Sequence, residues 1–258
     1  PPFAAWAVYG ATPYGEGAYD VYYGQPVTGE VSFSDEAADF ISGLTAQDLP
    51  VYTAESGTLD DAREYAAAFF ARFGTEIDSE DLYDESAWFR DSSQQRMCIY
   101  HYAGREIELE DYIVRQSGHE LKPGLTEDEL RACALEWGVE IPEGAELSAD
   151  EYSYIFTLKP TDGKGGEVSV AVTEDGLARI RYAIYSLSAI GSAQPLSAAE
   201  CETILHLGDY SCWDTLPEGE VHIERAEVIY SLDSKGTYRP ILTLHGGGCE
   251  IHIPLGMA

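Results

Sequence analysis

DDAREYAAAFFARFGTEI, residues 60–77, places its apolar side chains at helical spacing, then meets a glycine and turns extended. EDELRACALEWGVEI, residues 127–141, repeats the outline with the same Arg, Gly and Glu-Ile landmarks. On a helix Ala62, Ala66, Phe69, Phe70 and Phe73 share one face, as do Leu130, Cys133, Ala134 and Trp137. Gly74 and Gly138 stand where a helix end favours positive φ. Each stretch is preceded by a hydroxyl residue three positions before an acid: Thr58 with Asp61, and Thr126 with Glu129. That is the capping-box pattern, in which hydroxyl and carboxylate each accept from an N–H that the first turn leaves unpaired. Ser197 with Glu200 repeats it before a third apolar set, Cys201, Ile204 and Leu205. The three hydroxyl residues lie 68 and 71 residues apart. Near-equal spacing points to a repeated architecture.

After each predicted helix the period changes from 3.6 to 2. SAWFR (86–90), MCIYHY (97–102) and REIELEDYIV (105–114) follow the first. EYSYIFTLK (151–159), EVSVAV (167–172) and ARIRYAIYSL (178–187) follow the second, with hairpin turns expected at residues 161–166 and 174–176. HIERAEVIYSL (222–232), YRPILTLH (238–245) and CEIHIPL (249–255) follow the third. A three-stranded antiparallel meander has one apolar face, and a single amphipathic helix can cover it. The expected fold is therefore α+β: tandem helix-plus-three-stranded antiparallel sheet modules near 58–118, 126–190 and 197–256, each packed in two layers. Residues 1–50 carry strand-like AWAVYGA and YDVYYG and a short helix from Ser34, and read as a degenerate unit or an extension. The expected division is an N-terminal half, 1–120, and a C-terminal half, 125–258, hinged at HELKPG (119–124).

Charge bounds the function. The chain has 258 residues, 45% of them hydrophobic, with 46 acidic against 15 basic side chains and a formal net charge of −31. Ten carboxylates, from Glu16 to Asp61, precede the first cation, Arg63. Such a field repels phosphate backbones and anionic headgroups, so nucleic acid is not an expected partner; basic proteins are attracted. No stretch reaches the ~20 apolar residues that span a bilayer. The chain starts at Pro1-Pro2 without Met, and a removed signal, lipid-anchor or membrane segment is expected before it. A Tyr-rich acidic chain with four lysines suits an extracytoplasmic place, at the cell surface or secreted.

Chemical motifs are sparse. The five cysteines, Cys98, Cys133, Cys201, Cys212 and Cys249, form no C-x-x-C pair, and the histidines lack i,i+4 spacing, so no metal or cofactor is expected. Cys133 and Cys201 fall on apolar helix faces and read as small hydrophobes. His245-Gly-Gly-Gly248 lacks a G-x-S-x-G partner and reads as a hairpin turn. Asp78 to Glu85 reads as a solvated linker, lacking the glycine and ligand spacing of a calcium loop. His101, His222 and His252 occupy alternating strand positions, as sheet-surface residues. Pro240 within its run marks an edge strand or bulge. LGDYSCWD, residues 207–214, is the loop with most chemical content: Tyr210 and Trp213 beside carboxylates suit ligand binding, with Trp213 as a core plug the plainer alternative.

QPLSAAECETIL (194–205) and VHIERAEVIYSLDSKGTYRPILTLHGGGCEIHIPL (221–255) resemble YycH/YycI-type accessory proteins of Gram-positive cell-wall sensor kinases. In those proteins a P-L-S-type helix start leads to a strand ending in Tyr and then to a Tyr-x-Pro strand, here Tyr238-Arg239-Pro240. Ile241 stands where the family carries an aromatic, and basic character is lower. The resemblance covers about the last quarter of the chain and implies a non-catalytic, extracytoplasmic, membrane-tethered domain that senses or modulates through protein contacts. No functional residue carries over with it. The expected function is accordingly a non-enzymatic binding or regulatory domain with a protein partner. The alternatives are a carbohydrate-binding or carbohydrate-processing surface protein and a secreted acidic inhibitor.

Overall fold

A computed structural model describes residues 22–55, 57–83, 86–92, 96–100, 106–110, 124–136, 139–149, 153–172, 178–212, 216, 219–233 and 236–257. In chain order its elements begin with β1 (Tyr22–Tyr23), β2 (Val31–Phe33), α1 (Asp35–Leu44), β3 (Pro50–Ala54) and α2 (Leu59–Arg72). Then come β4 (Ile77–Leu82), β5 (Ser86–Asp91), β6 (Arg96–Tyr100), β7 (Glu106–Glu110), α3 (Glu127–Glu136), β8 (Glu146–Ala149) and β9 (Ser153–Leu158). The last are β10 (Gly163–Val172), β11 (Ala178–Ser192), α4 (Ala198–Leu207), β12 (Ser211–Cys212), β13 (Val221–Leu232), β14 (Thr237–Gly246) and β15 (Cys249–Pro254). The class is α+β, as expected. No helix among the described residues is long and apolar enough to cross a membrane.

All three capping boxes form. The Thr58, Thr126 and Ser197 hydroxyls accept from the N–H groups of Asp61, Glu129 and Glu200, whose carboxylates accept in return. The backbone N–H and then the hydroxyl of Thr126 hold Glu129 below the ordinary carboxylate range, and Ser197 does the same for Glu200. The sign follows. A carboxylate whose folded pKa is lowered supports the fold above its unfolded value of 4.5, and loses that support as pH falls through the folded value. Ser197→Ala is expected to cost about 1 kcal/mol. It should also flatten the acid limb of a plot of urea midpoint against pH; an unchanged limb would rule out the cap as its cause.

The recurring arginine acquires a role. Arg63 on α2 grips Glu80 of β4 with Nε and Nη2, at 2.8 and 2.9 Å. Arg131 at the equivalent place on α3 donates to the carbonyls of Ile141, Pro142 and Ala145, and its guanidinium lies 4.9 Å from the Phe156 ring centre. Each arginine pins its helix to the chain that follows it.

The units are not the expected halves. One comprises residues 54–188; the other joins 1–53 to 189–258. The reason is pairing: β2 lies parallel to β13, and Tyr52 and Thr53 of β3 pair with β14, so the N-terminal segment completes the C-terminal sheet. Of the expected hinge, residues 119–123 lie outside the described residues.

Among the described residues of the 54–188 unit each helix precedes four strands, not three. The extra strands are β4 and β8, whose mostly exposed polar sequences IDSEDL and ELSA lack the apolar alternation that marks a half-buried strand. Asp78 to Leu82 is thus strand where a linker was expected. Both sets are antiparallel meanders, and they join through their last strands: Ile180 opposite Leu109, Tyr182 opposite Ile107. The sheet order is β4-β5-β6-β7-β11-β10-β9-β8. Register repeats between the two sets. Phe89 faces Met97 and Ala87 faces Ile99, as Phe156 faces Val168 and Tyr154 faces Val170. These side chains and Ile180 meet Ala62, Ala66, Phe69, Phe70, Leu130 and Ala134 from the helices in one core. Gly165 and Gly166, expected in a turn, belong to β10 because β11 continues alongside them.

The other unit has, among the described residues, four strands after α4 but a different order. β13, β14 and β15 are consecutive neighbours, and β12 pairs with β15. Val221 and Ile223 share the core with Ala226 although their spacing breaks alternation, because a bulge between Ile223 and Arg225 shifts the register. Gly247 and Gly248, with φ of 62° and 76°, make the β14–β15 turn as a type I′ pair. Pro240 was expected at an edge or a bulge but lies in regular pairing within central β14. Its carbonyl accepts from the Leu255 N–H, so its nitrogen faces that same side. There the pairing of β15 with β14 ends at Pro254, opposite Ile241, and the pairing of β3 with β14 begins at Tyr52, opposite Tyr238. The missing donor falls in the gap between them.

Candidate functional site

Tyr210 is 4% exposed. Its hydroxyl donates to the Gln25 carbonyl at 2.7 Å, and its carbonyl accepts from the Gly24 N–H at 2.9 Å. A Cβ on Gly24 would lie 2.3 Å from the Tyr210 ring, so the glycine is the seat of the aromatic plane. Burial pushes the phenol up to about 12. Tyr210 therefore clamps residues 24–25 to the chain after α4 instead of lining a surface loop. Trp213 lies outside the described residues, as do His101 and Gly138. Cys201 is fully buried on the inner face of α4, where burial first, then Glu200, pushes its thiol up to about 12; it is a small hydrophobe, as read. The side chain of Cys133 lies outside the described residues.

Among the described residues, the strongest gathering of polar chemistry lies on the face of β13, β14 and β15 opposite the one that packs against α1 and α4. Arg225 and Glu227 project from β13, Thr243 and His245 from β14, Glu250 and His252 from β15. His245 Nε2 stands 2.7 Å from Glu227 Oε1 and 2.9 Å from Arg225 Nη2, and Arg225 Nη2 is 3.1 Å from the same carboxylate oxygen. His252 was expected at a sheet surface but is only 5% exposed. Its Nδ1 meets the Thr243 hydroxyl at 3.3 Å, while Nε2 faces Glu250 Oε1 at 3.4 Å without a hydrogen bond. His222 is exposed as expected, its Nδ1 3.0 Å from the Ser32 hydroxyl.

Burial lowers the His252 pKa; Glu250 opposes this and His245 adds to it. The unfolded chain then takes up the proton more readily, so stability is full above 6.5 and is lost as pH falls through the lower folded value. His252→Gln should remove that slope from the urea midpoint measured between about pH 7.5 and 5. A slope unchanged by the substitution would assign it to other groups. Chemically the cluster presents one carboxylate, Glu227, at the sheet margin. Sequence reading missed it because its members are drawn from three strands. The signal present was a polar residue at every second position of each run, which also describes any solvated sheet face. Among the described residues no group of three or more His, Cys, Asp or Glu side chains is arranged to hold a metal ion.

No protein-family model and no curated protein match the chain. A solved structure, that of an uncharacterized protein from Eubacterium rectale ATCC 33656, is similar over 78% of this chain and 77% of its own. The TM-score is 0.39 and the identity 9%, a likeness that bears on neither fold family nor function.

Proposed function

We propose that this protein is a non-catalytic, exported, membrane-tethered binding or regulatory domain that acts through contacts with a basic protein surface. The observation that carries the reading is charge: 46 carboxylates against 15 cations. Asp78, Glu80 and Asp81 stand exposed along a single strand, β4. A field of that sign draws cationic surfaces from beyond contact distance. The resemblance of 194–205 and 221–255 to YycH/YycI-type proteins supports an extracytoplasmic place for the role. The shared capping boxes and the repeated register of the first two helix-plus-strand sets support descent from one copied packing unit, with a third, altered copy from Ser197 onward.

The test is retention of a folded basic probe protein on the immobilised chain, against neutral oligosaccharides. Basic-protein binding should weaken at least about tenfold between about 50 and 500 mM salt, as screening shortens the reach of the field. Oligosaccharide retention indifferent to salt, with no basic-protein binding, would overturn the proposal in favour of a carbohydrate surface.

A further inference from the structure

β13 has two long margins with unlike fates. The inner one pairs with β14 from Ile223 to Leu232. The outer one pairs, among the described residues, with β2 at Val221, His222 and Ile223. Ser34 ends that pairing: its N–H donates to the Ile223 carbonyl and its hydroxyl to the Glu224 carbonyl, at 2.8 and 2.6 Å, and α1 starts at the next residue. From Arg225 to Leu232 no strand among the described residues lies against the outer margin.

The direction of each backbone group follows from the ladder. Pro240 of β14 faces β15, so Ile241, Thr243 and His245 face β13 and bond to Ile229, Glu227 and Arg225. The N–H and C=O groups of Ala226, Val228 and Tyr230 therefore point outward, a row of donors and acceptors set for one more strand.

Another margin among the described residues, that of β4, is blunted. β4 carries Asp78, Glu80 and Asp81, a common defence against strand addition. From Ala226 to Leu232, beyond the bulge, β13 instead has no proline or lysine and a single charge, Glu227, and shows partly buried Val228, Ile229 and Tyr230 in succession. We infer that the outer margin of β13, from Ala226 to Leu232, accepts an extended segment of a partner protein as an added strand, the segment alternating Lys or Arg with β-branched residues. The inference rests on the basic-partner reading above and names where and how that partner binds. A cation on the added strand pairs across from Glu227, and branched side chains cover Val228, Ile229 and Tyr230. An acidic segment, or a second copy bringing another −31, meets repulsion.

The probe is a synthetic decapeptide alternating Lys with Val and Thr, compared with two versions N-methylated at one or the other alternate set of residues. Methylation removes donors from one edge of the peptide and leaves its charge intact. The parent peptide should bind, one methylated version should bind at least about tenfold more weakly, and the other should match the parent. Amide exchange at Ala226, Val228 and Tyr230 should slow on binding. Val228→Pro removes an outward N–H and no bond to β14, and should weaken binding by a similar factor; if it perturbs folding, the methylated peptides on the unaltered protein still decide. Equal binding of all three peptides leaves charge attraction alone and overturns strand addition, while the basic-partner reading stands. No binding by any of them at about 50 mM salt overturns both. Loss of a dimer on Val228→Pro, without peptide binding, assigns the margin to a second copy and overturns the inference.

Discussion

Phe156→Ala should lower the stability of the 54–188 unit by about 3–5 kcal/mol, among the largest costs any single substitution in this chain can carry. Phe156 is fully buried, on the helix side of a strand flanked by two others. It faces Leu147 on β8 and Val168 on β10, and both neighbours are held by backbone ladders that cannot move in to fill a void. The Arg131 guanidinium would lose the ring it lies against while keeping its three carbonyls. Ile155, next along the strand and 36% exposed on the opposite face, is the control; Ile155→Ala should change stability by about 0.5 kcal/mol or less. Phe89 occupies the matching register against Met97 and should show a loss of similar size. Urea unfolding followed by far-UV circular dichroism reads all three. A loss under about 1 kcal/mol for Phe156→Ala would mean the core collapses around the gap, against the packing described.

Gly166→Ala should cost about 3 kcal/mol or more, for two reasons that can be separated. Gly166 has φ of 134°, a region that side-chain-bearing residues rarely enter. A Cβ there would also lie 2.0 Å from the Ala183 carbonyl oxygen on β11, a backbone atom that cannot swing aside. Gly163 has φ of 135° with open space where its Cβ would stand. Gly163→Ala therefore carries the conformational cost alone, about 1–3 kcal/mol, and the excess at Gly166 measures the clash. Equal losses at the two positions would remove the close approach of β10 and β11 as an energetic constraint.

Both positions lie where sequence reading went only part of the way. The apolar alternation of EYSYIFTLK places Phe156 in a strand and on its core face without any structure. The glycines at 163–166 read as a turn, because glycine is written the same way for a reversal and for a tight approach within a sheet. The distinction lies in β11, whose residues 184–187 run beside them in space and some twenty positions away in sequence. The acidic β4 escaped for the converse reason: edge strands are stabilised by their neighbour's backbone, so no apolar pattern is required of them. His252 looked like any polar residue on an alternating strand, and nothing local records that its face is covered.

Helix starts, helix faces and most strand runs were determined by the sequence alone, since caps and periodicities are written in residues three or four apart and depend on chain geometry close at hand. The pairing of the N-terminal segment with the last sheet, the joining of two meanders through β7 and β11, the harmless seat of Pro240 and the margin of β13 that no described strand covers were decided only by the tertiary structure. Backbone hydrogen bonds between strands are blind to side-chain identity, so which strands become neighbours depends on how whole apolar faces are buried together.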